Sequence, residues 1–345
     1  MFGYKQARRT LEAAERDSLS ASRDLVKIEA VRELGRYAEV GEEGESEAVQ
    51  RRAAEVLIER LTHPVPAVRG ETALALADAR VVSAISALKN AAGDENLRVR
   101  QMVLVALGEL ASSGDRAVTK LLTQASRAEE PELRFQALIG LARVAPDDDA
   151  ALSRGLADED SEVRYIALRL AEERYGVEEA PEAMLARARR ALADSAHTVR
   201  VAAAHWLARR GEEPAREQLA WALNARGGTS RVKLSAEDEI AMVELAGQLE
   251  VKAAAPGLER RAFGLLRTPA TWHARVALAR LGDARAVEAL MRGLSAWTFD
   301  ARTQAVAAVG QARLKAARPR LEAMRKSGLA DEAALDEALA ALDER

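Results

Sequence analysis

The sequence contains no cysteine. This absence excludes disulfide bonds, thiolate-ligated zinc, iron–sulfur clusters and a catalytic thiol. Aromatic residues are also scarce, because Trp, Tyr and Phe together make up only 3% of a chain that is 48% hydrophobic. The hydrophobic content is therefore mainly Ala, Leu and Val, which favours closely packed helices over a β-sheet core.

Long apolar runs are missing as well. No segment is apolar without interruption over the length of a membrane span. The basic residues near the N-terminus are not followed by the apolar region of a secretory signal. We therefore expect no membrane insertion and a cytoplasmic location.

The charge is nearly balanced, with a net value of −3 and an isoelectric point of about 6.0. Residues 1–180 carry −8 and the remainder +5. A chain with this net charge does not strongly attract phosphate backbones or anionic lipids. The composition therefore does not favour a nucleic-acid partner.

Motifs that support catalysis or ion binding are absent too. No histidine stands in a metal-binding spacing with a neighbouring Glu, and there is no glycine-rich phosphate loop. The acidic run 147–149 lacks the glycine and the distal Glu of an EF-hand loop, so we interpret it as capping acids of the next helix. We expect no catalytic residue, no metal site and no cofactor.

What the sequence does contain is a repeated phrase. An apolar residue followed by Arg recurs, with successive arginines 31, 34, 30 and 36 residues apart. A second helical pattern lies between copies, and Pro or Gly breaks exclude one long coiled coil. Each copy therefore indicates a helix–turn–helix unit that buries its apolar face by stacking on its neighbours. The pairs are Val68-Arg69, Val99-Arg100, Leu133-Arg134, Val163-Arg164 and Val199-Arg200, with degenerate copies at Ala274-Arg275 and Ala301-Arg302.

These units resemble HEAT repeats, specifically the short bacterial type also found in phycobilisome lyase subunits. The resemblance runs from about residue 20 to about residue 326 and implies an all-α, right-handed α-solenoid whose second helices line a concave face. It also implies a structural ladder of turn Asp and helix Arg between units, and the chemistry agrees, because Asp accepts backbone donors at a helix N-terminus and Arg can fork to a carboxylate one layer away. The acid is missing at His63 and Ala128. The ladder residues are grouped by copy, with each acid six residues before its Arg, as Asp94/Arg100, Asp158/Arg164 and Asp194/Arg200.

We predict one solenoid over residues 1–345, with about eight to nine helix pairs. Residues 237–250 lie where a degenerate copy of the repeat belongs. The polar stretch just before them, with the capping box Ser235-x-x-Asp238, interrupts the pattern. It is either a hinge at 225–237 between arrays 20–225 and 235–345, or a long loop in a continuous solenoid.

The candidate binding site is a ridge on the second helices. Counting the apolar residue of each pair as zero, positions +2 and +6 lie one turn apart, and the resemblance implies that they face the groove. Apolar groups occupy the middle of this ridge and polar groups follow, as expected of a protein-binding groove with aromatic anchors. The alternative is that these side chains pack between adjacent helices. The ridge residues are Leu74, Val105, Phe135, Ile139, Tyr165, Arg169, His205 and Arg280.

Trp206 occupies +7, a core position, and Trp221 on the following helix is expected to pack against it. A HEAT-like fold with Trp, Asp and Arg also resembles the alkylpurine DNA glycosylases. The acidic N-terminal half and the apolar ridge are unlike the basic groove which that function needs.

We therefore predict a non-catalytic, monomeric scaffold or adaptor for a protein partner. Two alternatives stay open, a glycosylase-like nucleic-acid binder and a phycobilin-lyase-like chaperone subunit.

Overall fold

A computed structural model describes residues 9–39, 45–177, 180–225, 236–265 and 268–343. These residues form twenty α-helices, with three short 3₁₀ turns and no strand. The chain divides into two compact units, Met1–Ala171 and Glu172–Arg345, and the division falls inside the tenth helix. The prediction of an all-α fold is confirmed.

The first unit contains nine helices and most of a tenth. They are α1 (Leu11–Ser20), α2 (Asp24–Ala38), α3 (Glu47–Arg60), α4 (Pro66–Asp78), α5 (Ile85–Ala91), α6 (Leu97–Leu110), α7 (Arg116–Ala125), α8 (Pro131–Val144), α9 (Asp149–Gly155) and α10 (Ser161–Tyr175). The second unit contains α11 (Glu182–Ala191), α12 (His197–Arg209), α13 (Glu213–Asn224), α14 (Ala236–Gln248), α15 (Ala255–Phe263), α16 (Ala270–Arg280), α17 (Ala284–Gly293), α18 (Phe299–Gln311), α19 (Arg318–Lys326) and α20 (Glu332–Ala341).

Within each unit the helices form two layers. In the first unit α2, α4, α6 and α8 pack side by side, and α3, α5 and α7 each pack against the even-numbered helix that follows. In the second unit α14 packs on α16, α18 packs on α20, and α13, α15 and α17 form the other layer. The second helix of each predicted pair is thus an even-numbered helix in one continuous layer of its unit.

Small residues let the even-numbered helices approach closely. A Cβ atom placed on Gly108 of α6 would lie 2.8 Å from the Cα atom of Gly140 on α8. In the second unit, a Cβ atom on Gly247 or Gly310 would lie 2.7 Å from a backbone Cα atom of the next even-numbered helix. Backbones this close leave no room for a larger side chain, which explains why Ala and Gly fill the packing positions.

Several even-numbered helices end in the same turn. The second residue after the helix adopts a left-handed backbone, and the N–H of the residue that follows it donates back to a carbonyl five residues earlier. Glycine takes this position at Gly211 and Gly282, as is usual for such caps. Glu250 and Arg313 hold it instead, with φ of 51° and 53°. Non-glycine residues are strained in this conformation.

Several sequence predictions can be compared with this fold. Residues 237–250 correspond to α14, and Asp148 of the acidic run 147–149 caps α9 by accepting from two backbone N–H groups. The described helices make ten pairs, more than the eight to nine predicted, because α1 and α20 add helices at the two ends. Ser235 and most of 225–237 lie outside the described residues, so the hinge stays a prediction. No described helix is long and apolar enough to cross a bilayer.

Candidate functional site

The apolar part of the ridge lies in the first unit. Leu74 is on α4, Val105 on α6, Phe135 and Ile139 on α8, and Tyr165 on α10, and each is half-buried. The position immediately before each +6 residue is in the core, because Ala73, Leu104, Leu138 and Leu168 are at most 2% exposed. A step of one residue, about 100° around the helix axis, thus separates a buried stripe from a partly accessible one. Arg169 on α10 is also half-buried.

Ion pairs flank this apolar stripe. Arg32 of α2 reaches Glu71 of α4 through two guanidinium nitrogens, at 2.5 and 3.3 Å. Glu109 of α6 pairs with Arg143 of α8, one turn beyond Val105. Charged side chains on neighbouring even-numbered helices therefore form a polar rim around the apolar ridge.

The polar part of the ridge lies in the second unit. His205 on α12 contacts the buried carboxylate of Glu172 through Nδ1, at 2.6 Å, and Arg209 approaches the same oxygen at 3.3 Å. Arg280 on α16 is half-buried and donates to the backbone carbonyl of Gln311 at 3.0 Å. Each of these side chains is held by contacts within its own unit.

The ladder residues connect in a different order from the predicted pairs. Arg69 forks onto Asp94 with two bonds of 2.7 and 2.8 Å, and Arg134 forks onto Asp158 with bonds of 2.9 and 2.7 Å. The carboxylate thus pairs with the Arg of the preceding repeat. The guanidinium of Arg69 holds the pKa of Asp94 below its ordinary value.

Within a repeat, Arg contacts the backbone of its own turn. Arg100 donates to the carbonyl of Asp94, Arg164 to that of Asp158 and Arg200 to that of Asp194, at 2.9, 2.8 and 2.5 Å. The Asp and Arg of one copy are therefore joined through the backbone carbonyl of the Asp and not through its carboxylate. This arrangement lets one Arg fix its own turn.

At the two turns where the acid is missing, other side chains make contacts in its place. Glu130 supplies the carboxylate for Arg100, at 2.6 Å, where Ala128 has none. The Nδ1 atom of His63 accepts a hydrogen bond from the backbone N–H of Val65, two residues later. The carboxylate of Asp94 accepts from the backbone N–H two residues after it in the same way. The Nε2 atom of His63 can then donate to the Leu19 carbonyl. The two ring nitrogens of His63 thus make the local contacts at the first copy, where the acid is missing.

The tryptophans divide into core and surface. Trp206 is fully buried and donates from Nε1 to the Gly176 carbonyl at 3.0 Å, as its core position predicts. Trp221 does not share that core, because it is 46% exposed, stacks on His197 and lies under the guanidinium of Arg200. Trp297, in the turn between α17 and α18, is 96% exposed.

The second unit contains a cleft that the repeat pattern does not predict. A cavity of about 320 Å³ opens where α14, α16 and α18 meet. Of the residues that line this cleft, Arg280 was among the predicted ridge residues. The repeat register does not predict the positions of the others. The lining residues with ionisable side chains are Glu244, His273, Arg280 and Arg313.

Comparisons with known proteins agree with this architecture. Residues 54–142 match the family described as HEAT repeats. The structure of importin beta in an ammonium sulfate condition is 14% identical, with a TM-score of 0.51, and covers 96% of this chain and 51% of that one. A structure of Kap95p with RanGDP is 12% identical, with a TM-score of 0.52, and covers 88% of this chain and 46% of that one.

The complex of CpcE and CpcF of phycocyanin lyase from Nostoc sp. PCC7120 is 17% identical, covering 77% of this chain and 98% of that one. Its TM-score of 0.43 is too low to bear on fold or function. No curated protein matches the sequence. The matches show HEAT repeats over residues 54–142 and, for the described chain, the fold of HEAT-type solenoids.

Proposed function

We propose that this HEAT-repeat protein is a non-catalytic scaffold or adaptor that binds a segment of another protein on its even-numbered helices. The ridge in the first unit would take apolar side chains of the partner, with Phe135, Ile139 and Tyr165 as the main anchors. Arg169 in the first unit, and His205 and Arg280 in the second, would engage acidic groups of the same class of partner.

The observation that carries this proposal is the half-burial of apolar residues at one repeated register. Leu74, Val105 and Ile139 occupy the same position on three consecutive even-numbered helices, and each keeps part of its surface accessible. Aromatic and aliphatic groups held on rigid helices lose little conformational entropy on binding. Surrounding ion pairs such as Glu109–Arg143 supply the polar rim that specific interfaces have.

The fold is known to serve protein binding. Kap95p, which has this fold, binds RanGDP. That similarity concerns the fold alone, so the partner of this chain has to be inferred from its own side chains. An apolar centre with cationic residues points to an amphipathic segment that carries acidic groups.

The charges on these helices disfavour the nucleic-acid alternative. Glu71 and Glu109 lie beside the apolar ridge, and Glu172 lies beside His205. Carboxylates at these places would repel a phosphate backbone, whereas a nucleic-acid groove needs a basic stripe.

The test is affinity capture from a native lysate treated with nuclease, followed by mass spectrometry. Wild type is compared with the double variant Phe135→Glu/Tyr165→Glu. The matched control is Leu19→Glu/Val82→Glu, which adds the same charge at exposed apolar residues of the first unit outside the ridge. We expect a protein that wild type and control both retain and the ridge variant loses.

The ridge variant is first checked for folding by circular dichroism and thermal unfolding. If Phe135→Glu alone unfolds the protein, Phe135 belongs to the core and the ridge is not a binding surface. Identical protein lists for the folded ridge variant and the control would contradict the proposal equally.

A further inference from the structure

The turn between α17 and α18 carries Trp297 at a repeat position that holds an acid in the first unit. Arg302 donates from Nη1 to the backbone carbonyl of Trp297, five residues earlier, at 3.1 Å. Arg164 donates in the same way to the carbonyl of Glu159 at 2.8 Å. The Glu159 side chain is 86% exposed and Trp297 is 96% exposed. The same turn therefore presents a solvated carboxylate in the first unit and an apolar ring in the second.

Arg302 also joins this turn to the turn between α19 and α20. Its guanidinium donates to the carbonyl of Ala296 at 3.0 Å and, through Nε, to the carbonyl of Leu329 at 2.5 Å. Phe299 and Leu329 are about half exposed. Trp297, Phe299 and Leu329 thus lie at one edge of the second unit, and we call them the turn patch. Because one side chain fixes the backbone of both turns, little backbone entropy is lost when the patch binds.

Two exposed cations lie beside the turn patch. Arg320 of α19 donates to the hydroxyl of Ser295, two residues before Trp297. Lys326 is the last residue of α19, three residues before Leu329. In the part of the chain that the structure describes, neither side chain has a carboxylate within ion-pair distance. Their charges are therefore free to contact an anion.

The acids at this edge lie at helix N-termini. Asp300 is in the first turn of α18. Asp331 caps α20 by accepting from the N–H of Ala334 at 3.0 Å, and Glu332 follows it. The positive end of a helix dipole partly offsets a carboxylate at that end. With the guanidinium of Arg302 and the two exposed cations, the balance of charge at this edge favours an anionic partner over a cationic one.

The turn patch is small and projects from the tips of turns. A fully buried aromatic side chain covers about 150–250 Å², so the patch offers roughly 400 Å² at its observed exposures. A standard protein–protein interface buries about 800 Å² on each partner. The patch is therefore too small for a stable dimer of this chain. A bilayer surface needs no matching shape, and its interface takes up Trp rings beside Lys and Arg.

We propose that this edge of the second unit docks on an anionic lipid bilayer. Trp297 enters the headgroup region as the anchor, with the rest of the turn patch beside it, while Arg320 and Lys326 contact lipid phosphates. Such docking needs no membrane-spanning helix, and none is found among the described residues. Because the whole chain carries a charge of −3, the attraction has to come from these local side chains.

The test is co-sedimentation of the full chain with two kinds of vesicle. One is phosphatidylcholine alone, and the other is phosphatidylcholine and phosphatidylserine in equal parts. We expect binding to the mixed vesicles that weakens as salt is added, because ions screen exposed charges, and much weaker binding to phosphatidylcholine alone. Tryptophan emission should shift to shorter wavelength on binding, since the Trp297 ring leaves water.

The apolar anchor is tested at Trp297. Trp297→Ser should weaken binding to the mixed vesicles at least about tenfold, because the largest apolar side chain of the patch is lost. Leu25→Ser, at an exposed leucine of α2, is the control and should bind like wild type. Trp297→Phe should keep most of the binding and lose the emission shift. Trp297 and Leu25 are exposed, so the melting temperatures of these variants should match that of wild type.

The cations are tested by a matched pair of double variants. Arg320→Gln/Lys326→Gln should weaken binding to the mixed vesicles about tenfold or more. Arg116→Gln/Lys120→Gln removes the same two charges from exposed positions of α7 in the first unit, and it should change binding little. The two variants have equal net charge, so a difference between them locates the contact.

Three results would overturn the proposal. They are no binding to the mixed vesicles, equal binding by Trp297→Ser and Leu25→Ser, and equal losses in the two charge variants. Self-association in sedimentation equilibrium that Trp297→Ser abolishes would instead assign the turn patch to a second copy of this chain. The proposal does not rest on the proposed function, because Phe135→Glu/Tyr165→Glu should bind vesicles like wild type.

Discussion

The two units use one repeat pattern and present different surfaces. In the first unit, Arg69 and Arg134 are buried in forked pairs with carboxylates of the next turn, and the partly accessible stripe is apolar. In the second unit, Arg280 has no such acid among the described residues and faces a cleft. The net charge is −5 over residues 1–171 and +2 over residues 172–345. Packing positions thus set the fold in both units, while the positions around them give the two units different accessible surfaces.

The buried forked pairs should distinguish the first unit most strongly. The Arg134 and Asp158 side chains are 8% and 13% exposed. Removing one partner leaves a buried charge, so Arg134→Met should lower the free energy of unfolding by about 3–5 kcal/mol. In the second unit, Arg292→Met breaks an exposed pair with Glu288 and should cost less than about 1 kcal/mol.

Urea unfolding of both variants gives these values. The double change Arg134→Met/Asp158→Leu removes both charges and should recover much of the loss. Equal effects of Arg134→Met and Arg292→Met would show that the forked pair is not a special feature of the first unit.

Close helix contacts should matter in both units. Gly108→Ala places a Cβ atom against the backbone of α8, and Gly247→Ala places one against the backbone of α16. Each should cost about 1–3 kcal/mol of unfolding free energy, because the helices have to move apart. Gly93→Ala, where an added Cβ meets no atom within 4 Å, is the control and should change stability little. A harmless Gly108→Ala would mean that α6 and α8 are not held this closely.

Acid should weaken the first unit through Asp94. Arg69 lowers the pKa of Asp94 from the ordinary value of 3.8 in the folded protein. A lowered folded pKa gives stability that is complete above the unfolded pKa and is lost as the pH falls through the folded pKa. We expect wild type to lose stability below about pH 4, and Asp94→Asn, less stable at pH 7, to show a shallower loss. Parallel pH profiles for the two proteins in urea unfolding would rule out this contribution.

The repeat pattern predicts the fold well because packing is local and periodic. Val99 and Val163 are buried at the expected register, and α14 lies where a degenerate copy was expected. The partners in the ladder were harder to predict, because the carboxylate of Asp94 meets Arg69 through the stacking of repeats and not through spacing along the chain. Sequence spacing placed Asp94 with Arg100, which contacts only its backbone carbonyl.

The site was predictable only in part, for a similar reason. Position +6 identifies residues near the surface of the even-numbered helices, but it does not give the neighbours that determine their chemistry. Arg313 stands at a helix end where glycine is usual, so no repeat position predicts that it lines the same cleft as Arg280. The cleft becomes visible only when three helices are placed together.

Hydroxyl-radical footprinting of the free protein and of its complex with the captured partner tests the central claim most directly. Trp206, fully buried, and Trp297, fully accessible, provide internal references. We expect Phe135 and Ile139 to react at intermediate rates in the free protein and to become protected in the complex, while Trp297 stays accessible. Reaction of Phe135 as slow as that of Trp206 in the free protein, or unchanged rates in the complex, would contradict it.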